Sequence, residues 1–282
     1  MGDLLRDLTQ HSFLQAAVIA GLLASVSCGV VGTYVVTRRI TYLAGAIAHC
    51  VLGGMGAVWF LRVRLGWTWL DPMHGAAAAA LLAAVIVGLV SLRAKQREDT
   101  VIGAIWAIGT AVGVLFIQMT PGYAVDLTGY LFGNILMVGQ RDLWLIAGLN
   151  AIVLGAVVAG YRPFLAICFD EEFARLRGVS VEGYYIALLC LTALTVVVLV
   201  KVVGIVMAIA LLTLPTAIAN HFGRSLWQLM ALAAALCAIF VLSGLGVAYA
   251  SNLPAGATII VLAGSAYLLT AAGATLVRRG RH

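Results

Sequence analysis

Apolar residues fill most of the chain in runs of about twenty, and short segments between the runs hold most of the charged residues. A helix needs roughly 20 apolar residues to cross the hydrocarbon core of a bilayer, so each run predicts a membrane-spanning helix. The predicted spans are residues 13–35, 42–61, 74–92, 101–118, 143–160, 184–200, 203–222, 226–247 and 258–277.

Two regions leave the number of crossings open. Residues 184–222 can be divided into two spans or taken as one broken helix, so the prediction is eight or nine spans. Residues 122–138 are apolar but contain Gly122, Gly129 and Gly133, which favours a short re-entrant or interfacial helix over a full crossing. The predicted fold class is therefore all-α, a polytopic transmembrane bundle in a single domain over residues 1–282.

Composition supports a bundle in lipid. Hydrophobic residues make up 63% of the chain, charged residues only 10%, and the mean hydropathy is +1.08. A soluble domain carries about 25% charged residues because it must cover its core with a polar surface. We therefore expect membrane lipid to be the solvent for most of this surface.

The formal net charge of +6 comes from basic clusters between apolar runs, a distribution that argues for membrane orientation and against nucleic-acid binding. Cytoplasmic loops of membrane proteins are enriched in Lys and Arg. With nine crossings and a cytoplasmic C-terminus, twelve basic residues fall inside and five outside. The inside set is Arg38, Arg39, Arg93, Lys95, Arg97, Arg162, Arg175, Arg177, Arg224, Arg278, Arg279 and Arg281. The outside set is Arg6, Arg62, Arg64, Arg141 and Lys201.

His49 is the one ionisable side chain well inside the second predicted span. Such groups are costly at membrane depth and usually face a cavity or a partner. Helical spacing places Gly45, His49, Gly53 and Gly56 along one stripe, so the imidazole faces either open space or a closely packed helix. Neutral imidazole is a good ligand for zinc, manganese or iron, although a structural hydrogen bond to a neighbouring helix explains the same pattern.

The longest polar insertion, residues 161–183, contains a predicted amphipathic helix near 169–178. Acidic residues near its start and arginines near its end suit the helix dipole, and Gly178 suits its stop. Phe169, Phe173 and Leu176 share one apolar face, which could lie on the bundle or lipid interface or dock a partner. The residues of this predicted helix are Phe169, Asp170, Glu171, Glu172, Phe173, Arg175, Leu176, Arg177 and Gly178.

The chain lacks the nucleotide-binding motif G-x-x-x-x-G-K-[ST] and the hydrolase motifs H-E-x-x-H and G-x-S-x-G, so we expect no enzyme activity of its own. Energy for transport must then come from a partner protein or an ion gradient. Acidic residues are confined to loops, termini and span edges, which disfavours a gradient-driven carrier.

Several motifs together resemble the permease subunits of bacterial ABC importers for zinc, manganese and iron. Residues 32–49 resemble that family's signature of two basic residues, Ser/Thr-Tyr and a histidine. The other resembling segments are 98–103 (E-D-T-V-I-G), 131–136 (L-F-G-N-I-L), 204–217 (G-I-V through L-T-L-P-T-A) and 253–258 (L-P-A-G-A-T). The motif residues to which this resemblance gives a structural role are Arg38, Arg39, Asp99, Gly133, Pro215 and Pro254.

The resemblance implies a type II importer-like permease in the bacterial cytoplasmic membrane. It implies a homodimer, two copies of a cytoplasmic ABC ATPase and an extracytoplasmic metal-binding protein. The 169–178 helix would be the coupling helix, and His49 would lie on the metal path with Gly45, Gly53 and Gly56 lining it. The transported ion is the expected metal, with no permanently bound cofactor.

Two positions depart from the family pattern and bear on the substrate. Relatives often carry Asp where this chain has Gly45, and L-F-G-D where it has Asn134. Because this carboxylate is absent, we expect the transported metal to be zinc rather than manganese. Zinc binds imidazole well, whereas manganese prefers oxygen ligands. The alternatives are an importer of manganese or iron and an importer of siderophores or corrinoids. A gradient-driven carrier and a membrane-embedded enzyme are weaker alternatives.

Overall fold

The computed structural model describes residues 12–93, 98–120, 133 and 135–279, and these form eleven α-helices and one 3₁₀ turn, Ile135–Met137. The helices are α1 Ser12–Thr37, α2 Thr41–Leu65, α3 Pro72–Arg93, α4 Glu98–Met119, α5 Gln140–Ala159, α6 Tyr161–Phe169, α7 Glu171–Leu176, α8 Val181–Val203, α9 Ile205–Ala219, α10 Leu226–Ser251 and α11 Ala255–Arg279. The described part of the chain contains no β-strand, so the all-α prediction is confirmed.

Eight of the described helices, α1 to α5, α8, α10 and α11, are long and apolar enough to cross a membrane. The seventh predicted span, 203–222, corresponds to α9, which has 15 residues and is about 22 Å long at 1.5 Å per residue. That length is less than the roughly 30 Å hydrocarbon thickness. The structure therefore favours eight full spans and one shorter apolar helix.

Contacts between helices show which loops share an end of the bundle. Arg38, after α1, pairs with Glu171 of α7, whereas Lys201 near the end of α8 pairs with Asp142 at the start of α5. We call these the α7 end and the Lys201 end. Because Tyr185 near the start of α8 lies against Arg38, α8 runs from the α7 end to the Lys201 end.

Helix α9 turns back from the end of α8, contrary to the alternative of one broken helix over residues 184–222. Its Leu212 and Thr216 lie against Gly32 in the last turns of α1, close to the α7 end. The reversal occurs at Gly204, whose φ of 80° suits glycine, and which is packed against the backbone of Gly133. Close packing of Gly204 against Gly133 therefore lets the chain reverse direction here.

The predicted short helix at 122–138 lies mostly outside the described residues. Its described remainder comprises Gly133 and the 3₁₀ turn that follows, which packs beside α1. Gly133 has φ 66°, and a Cβ there would lie 2.2 Å from the carbonyl carbon of Val203. A larger residue at this position would have to push α8 and α9 away.

Exposed aromatic side chains mark both ends of the bundle. Trp67, Trp69 and Trp144 are exposed at the Lys201 end, and Phe222 and Trp227 are exposed near the α7 end. Tryptophan and tyrosine rings concentrate at the two membrane–water interfaces because they join an apolar ring to a polar group. This distribution agrees with a bundle that lies across a bilayer.

Several buried polar side chains within the spans form hydrogen bonds inside the bundle. Ser25, Thr33, Thr192 and Thr195 each donate to the backbone carbonyl four residues earlier. Asn150 of α5 donates to the Leu23 carbonyl of α1 at 2.9 Å. Lipid offers no hydrogen bonds, so these internal bonds allow polar residues at membrane depth.

Helix backbones approach most closely where glycines face each other. A Cβ on Gly54 of α2 would lie 2.0 Å from the Gly75 oxygen of α3, and a Cβ on Gly75 would lie 2.2 Å from the Gly54 oxygen. In lipid, helix association depends on such close packing rather than on burial of apolar surface from water.

We expect Gly54→Ala to destabilise the bundle, because its methyl group would meet the backbone of α3. Overpacking typically costs about 1–3 kcal/mol. The measurement is thermal unfolding of the purified chain in detergent, with membrane abundance as a second readout. Gly155→Ala is the matched control, since a Cβ there has no atom within 4 Å in its surroundings. Equal stability of both variants and the wild type would contradict the packing account.

Candidate functional site

His49 lies in the third turn of α2, half-buried, and contacts α4 through two side chains. Its ring stacks on the Trp106 indole with centroids 4.8 Å apart and planes inclined by 27°. Its Nδ1 lies 3.0 Å from the hydroxyl oxygen of Thr110. Because Nδ1 is engaged by Thr110, Nε2 is the nitrogen that an ion would take.

The glycine stripe of α2 packs against α4. A Cβ on Gly45 would lie 2.7 Å from the Trp106 ring, and one on Gly53 would lie 2.9 Å from the Gly109 oxygen. Gly56 approaches Gly113 in the same way, at 3.1 Å. The spacing left open whether the imidazole faces open space or a closely packed helix. In the protomer it faces the closely packed helix α4. The path-lining role of Gly45, Gly53 and Gly56 stays a prediction.

Groups of three or more His, Cys, Asp or Glu side chains that could hold a metal do not occur among the described residues. The Cys50 thiol, next to His49 in sequence, is directed to the Ile105 carbonyl at 3.5 Å. Burial raises the pKa of the Cys168 thiol in α6 to about 12, which keeps it protonated and a poor ligand at neutral pH. His74 accepts the Asp71 backbone N–H through Nδ1, which places its own proton on Nε2.

An open, mainly apolar cavity of roughly 390 Å³ lies against Trp106, whose ring stacks on His49. Trp106 and Gly45 line it together with Thr41 and Tyr42 at the start of α2, so the cavity lies toward the α7 end. Residues from three other helices complete the wall: Val36, Ile209, Thr213, Leu214, Ala217 and Tyr267. The Trp106 indole therefore borders both the imidazole and the cavity.

The predicted helix at 169–178 is divided in the structure. Phe169 ends α6, and Asp170 is extended and caps α7, its carboxylate accepting the Phe173 N–H at 2.9 Å. Helix α7 then covers only Glu171–Leu176 and ends before Gly178, whose φ is 77°. The acidic start and the glycine stop were predicted correctly, but Phe169 belongs to α6 because the extended Asp170 separates the two helices.

The apolar side chains of this segment are nevertheless exposed together. Phe169, Phe173 and Leu176 are 67%, 50% and 87% exposed, whereas Ala174 is fully buried against the bundle. The Arg177 guanidinium lies over the Phe173 ring at 5.0 Å. We call Phe169, Phe173 and Leu176 the α7 surface. A large exposed apolar group at a loop is typical of an interaction site.

Arg38 joins the spans to this surface. Its guanidinium pairs with Glu171, donates to the Ile167 carbonyl at 2.7 Å, and lies over the Tyr185 ring at 5.0 Å. One side chain thus contacts α6, α7 and α8 from the end of α1. The structural role that the resemblance implies for Arg38 stays a prediction, for which these contacts offer a physical basis.

Three of the remaining motif residues lie at helix boundaries, and Pro215 lies within a helix. Arg39 is exposed and has φ 59°, which ends α1 with a left-handed residue. Asp99 lies in the exposed first turn of α4, and Pro254 precedes α11. Pro215 is buried inside α9. The structure brings none of these four residues to His49.

Trp106 and Thr110 escaped the sequence prediction although both contact His49. The one available signal was their spacing of four residues in an otherwise apolar span, which puts a ring and a hydroxyl on one face. That spacing identifies a face of α4 but does not identify its neighbour. The partner, 61 positions away in sequence, becomes visible only in the packed bundle.

The chain is similar to known membrane proteins over nearly its whole length. It is 40% identical over 263 residues to an uncharacterized membrane protein of Synechocystis, covering 93% of this chain and 91% of the relative. It is 30% identical over 280 residues to the manganese import system permease protein ScaB of Streptococcus parasanguinis, covering 99% and 97%. The solved structure titled PsaBC from Streptococcus pneumoniae in complex with Fab superposes with a TM-score of 0.83 at 30% identity, covering 95% and 94%.

The profile described as the ABC 3 transport family matches residues 10–274. These matches confirm the resemblance to the permease subunits of bacterial metal ABC importers that the sequence motifs indicated. The chain belongs to the ABC 3 transport family.

Proposed function

We propose that this chain is the permease subunit of an ATP-driven importer for divalent transition metal ions and that His49 is a ligand on the metal path. The observation that carries the proposal is the half-buried imidazole in a membrane span, held by Thr110 through Nδ1. An ionisable group at that depth is a candidate functional residue, because its burial in lipid is costly. The name of the 30% identical relative, a manganese import system permease, supports the substrate class.

Zinc is the cargo that we propose first. The side chains within contact of His49 are an indole and a hydroxyl, and Gly45 offers no carboxylate one turn away. Zinc is comfortable with imidazole, whereas manganese favours carboxylate and water oxygens. Manganese is the second candidate, favoured by the names of relatives such as the ScaB permease.

A second copy of the chain would complete the site. One imidazole per protomer cannot hold an ion, and the described residues provide no three-ligand group. A homodimer could present two His49 rings to one ion together with water. Such an incomplete shell suits a transit site, because an ion held by a closed four-ligand cage would leave slowly.

The α7 surface is the proposed contact for a cytoplasmic ABC ATPase. It combines three exposed apolar side chains with the Arg38–Glu171 pair, which ties α7 to the spans. The α7 end also carries Arg39, Arg93 and Arg224, in agreement with enrichment of basic residues on the cytoplasmic side. We therefore place the α7 end and the C-terminus in the cytoplasm of a bacterial cell.

The Lys201 end then faces outward, toward an extracytoplasmic metal-binding protein. An open cleft of roughly 330 Å³ lies at this end and is lined by Asp71, His74, Arg141, Asp142 and Lys201 among others. Mixed charges of this kind favour a polar, reversible contact with a partner. Delivery of the ion would occur here.

The combined substitution Phe173→Ala and Leu176→Ala tests the docking of the ATPase. Interface anchors of this kind are worth about 2 kcal/mol or more, so we expect at least about tenfold less co-purified ATPase and a matching loss of metal uptake. Both side chains are replaced by alanine rather than by a charged residue. An aspartate at position 173 would pair with Arg177, whose guanidinium lies over the Phe173 ring. Membrane abundance should stay unchanged, since both side chains are exposed.

Phe222→Ala is the control for that experiment, being an exposed aromatic near the same end but outside the α7 surface. It should retain the ATPase. Normal ATPase retention by the double variant would exclude the α7 surface as the docking site and remove this argument for a cytoplasmic α7 end.

His49→Ala and His49→Gln test the metal path. A ligand role predicts that both variants lose uptake by at least about tenfold, since glutamine can hydrogen-bond but is a poor zinc ligand. Uptake of zinc, manganese and iron should be measured at matched membrane abundance, which also ranks the three cargoes. His221→Gln, an exposed histidine outside the spans, is the control. Wild-type uptake in His49→Gln would remove His49 from the path.

A further inference from the structure

Two side chains of α4 hold the His49 ring from different directions. Thr110 meets Nδ1 at the edge of the ring, and Trp106, one turn earlier, covers its face. Contacts of both kinds on one imidazole restrict its rotation about the Cα–Cβ and Cβ–Cγ bonds. They belong to one helix, so any movement of α4 against α2 would change both.

The hydrogen bonds of Thr110 determine which nitrogen of His49 carries the proton. The Thr110 hydroxyl lies 2.9 Å from the Trp106 carbonyl, which can only accept, so its single proton is donated there. The same oxygen lies 3.0 Å from His49 Nδ1 and must therefore accept a proton from it. The neutral ring then has Nδ1–H and a lone pair on Nε2.

The close approach of α2 and α4 is what allows Thr110 to reach the ring. Gly53 and Gly56 of α2 lie against Gly109 and Gly113 of α4. These two glycines of α4 precede and follow Thr110 in the helix. Side chains at these positions would separate the helices and lengthen the 3.0 Å contact. The glycine stripe thus serves the geometry of the imidazole as well as the packing of the bundle.

We propose that Thr110 and Trp106 are positioning residues for the metal path: Thr110 keeps the proton of His49 on Nδ1 and so presents Nε2 to the ion, while Trp106 fixes the plane of the ring. The inference rests on the proposed function, in which His49 binds the metal. Residues that hold the second nitrogen of a metal-binding histidine fix its tautomer and direction, and their loss typically costs 10–100-fold in affinity or activity.

Thr110→Val and Thr110→Ser separate positioning from packing. Valine has almost the shape of threonine without the hydroxyl, whereas serine retains the hydroxyl. We expect Thr110→Val to lower zinc uptake by about 10–100-fold, mainly through a higher KM, and Thr110→Ser to keep most of it. Thr195→Val is the matched control, because Thr195 also donates to the carbonyl four residues earlier, at 2.9 Å, in the separate helix α8.

A second readout is independent of transport. Nitrogen-15 NMR of the purified full-length chain, labelled at histidine and free of metal, reports the tautomer of each imidazole, and His49→Gln identifies the His49 signals. The wild type and Thr110→Ser should show the Nδ1–H form, and Thr110→Val should show a mixture of tautomers. Trp106→Leu should keep the Nδ1–H form but lower uptake, since it removes the stacking and leaves the hydroxyl.

The outcomes distinguish this inference from the proposed function. If His49→Gln abolishes uptake while Thr110→Val retains wild-type uptake and tautomer, the positioning role is excluded and the metal path stands. If Thr110→Ser fails as severely as Thr110→Val, the role of Thr110 is packing, which also overturns the inference. If His49→Gln transports normally, the proposed path fails, whatever the NMR spectra show.

Discussion

The close packing of α2 against α4 is the constraint on which the site depends. Facing glycines bring the two backbones together, and the same approach sets Trp106 and Thr110 against His49. In lipid this packing must come from shape and dispersion, because apolar side chains gain little by leaving apolar solvent. The glycines that bring the two helices together therefore also bring the two side chains of α4 into contact with His49.

Arg38 connects that packed region to the surface at the α7 end. It follows α1, is separated from α2 by two residues, and binds the Ile167 carbonyl and Glu171 carboxylate beyond the spans. A force applied to α7 would reach the start of α2 through this side chain and the short turn after it. His49 lies only two turns further along α2, so the proposed docking surface and the proposed metal path are joined by a short chain of contacts.

Much of the fold could be predicted because bilayer thickness fixes the length of apolar runs. Phe169, Phe173 and Leu176 were predicted to share one apolar face, and all three are exposed, but Phe169 lies in a separate helix because Asp170 is extended and caps α7. His49 stood out as a polar group in an apolar span. Trp106 and Thr110 could not be assigned to it, since α4 is apolar around its circumference and sequence alone does not show which face meets α2.

Reconstitution of transport tests the central claim most directly. The purified chain and its ATPase would be placed in liposomes with the zinc-loaded extracytoplasmic binding protein outside and ATP inside. We predict zinc accumulation that requires both the ATPase and hydrolysable ATP and that fails with His49→Ala. Accumulation driven by an ion gradient without the ATPase, or an ATP-driven assembly that moves no zinc, manganese or iron, would contradict the account.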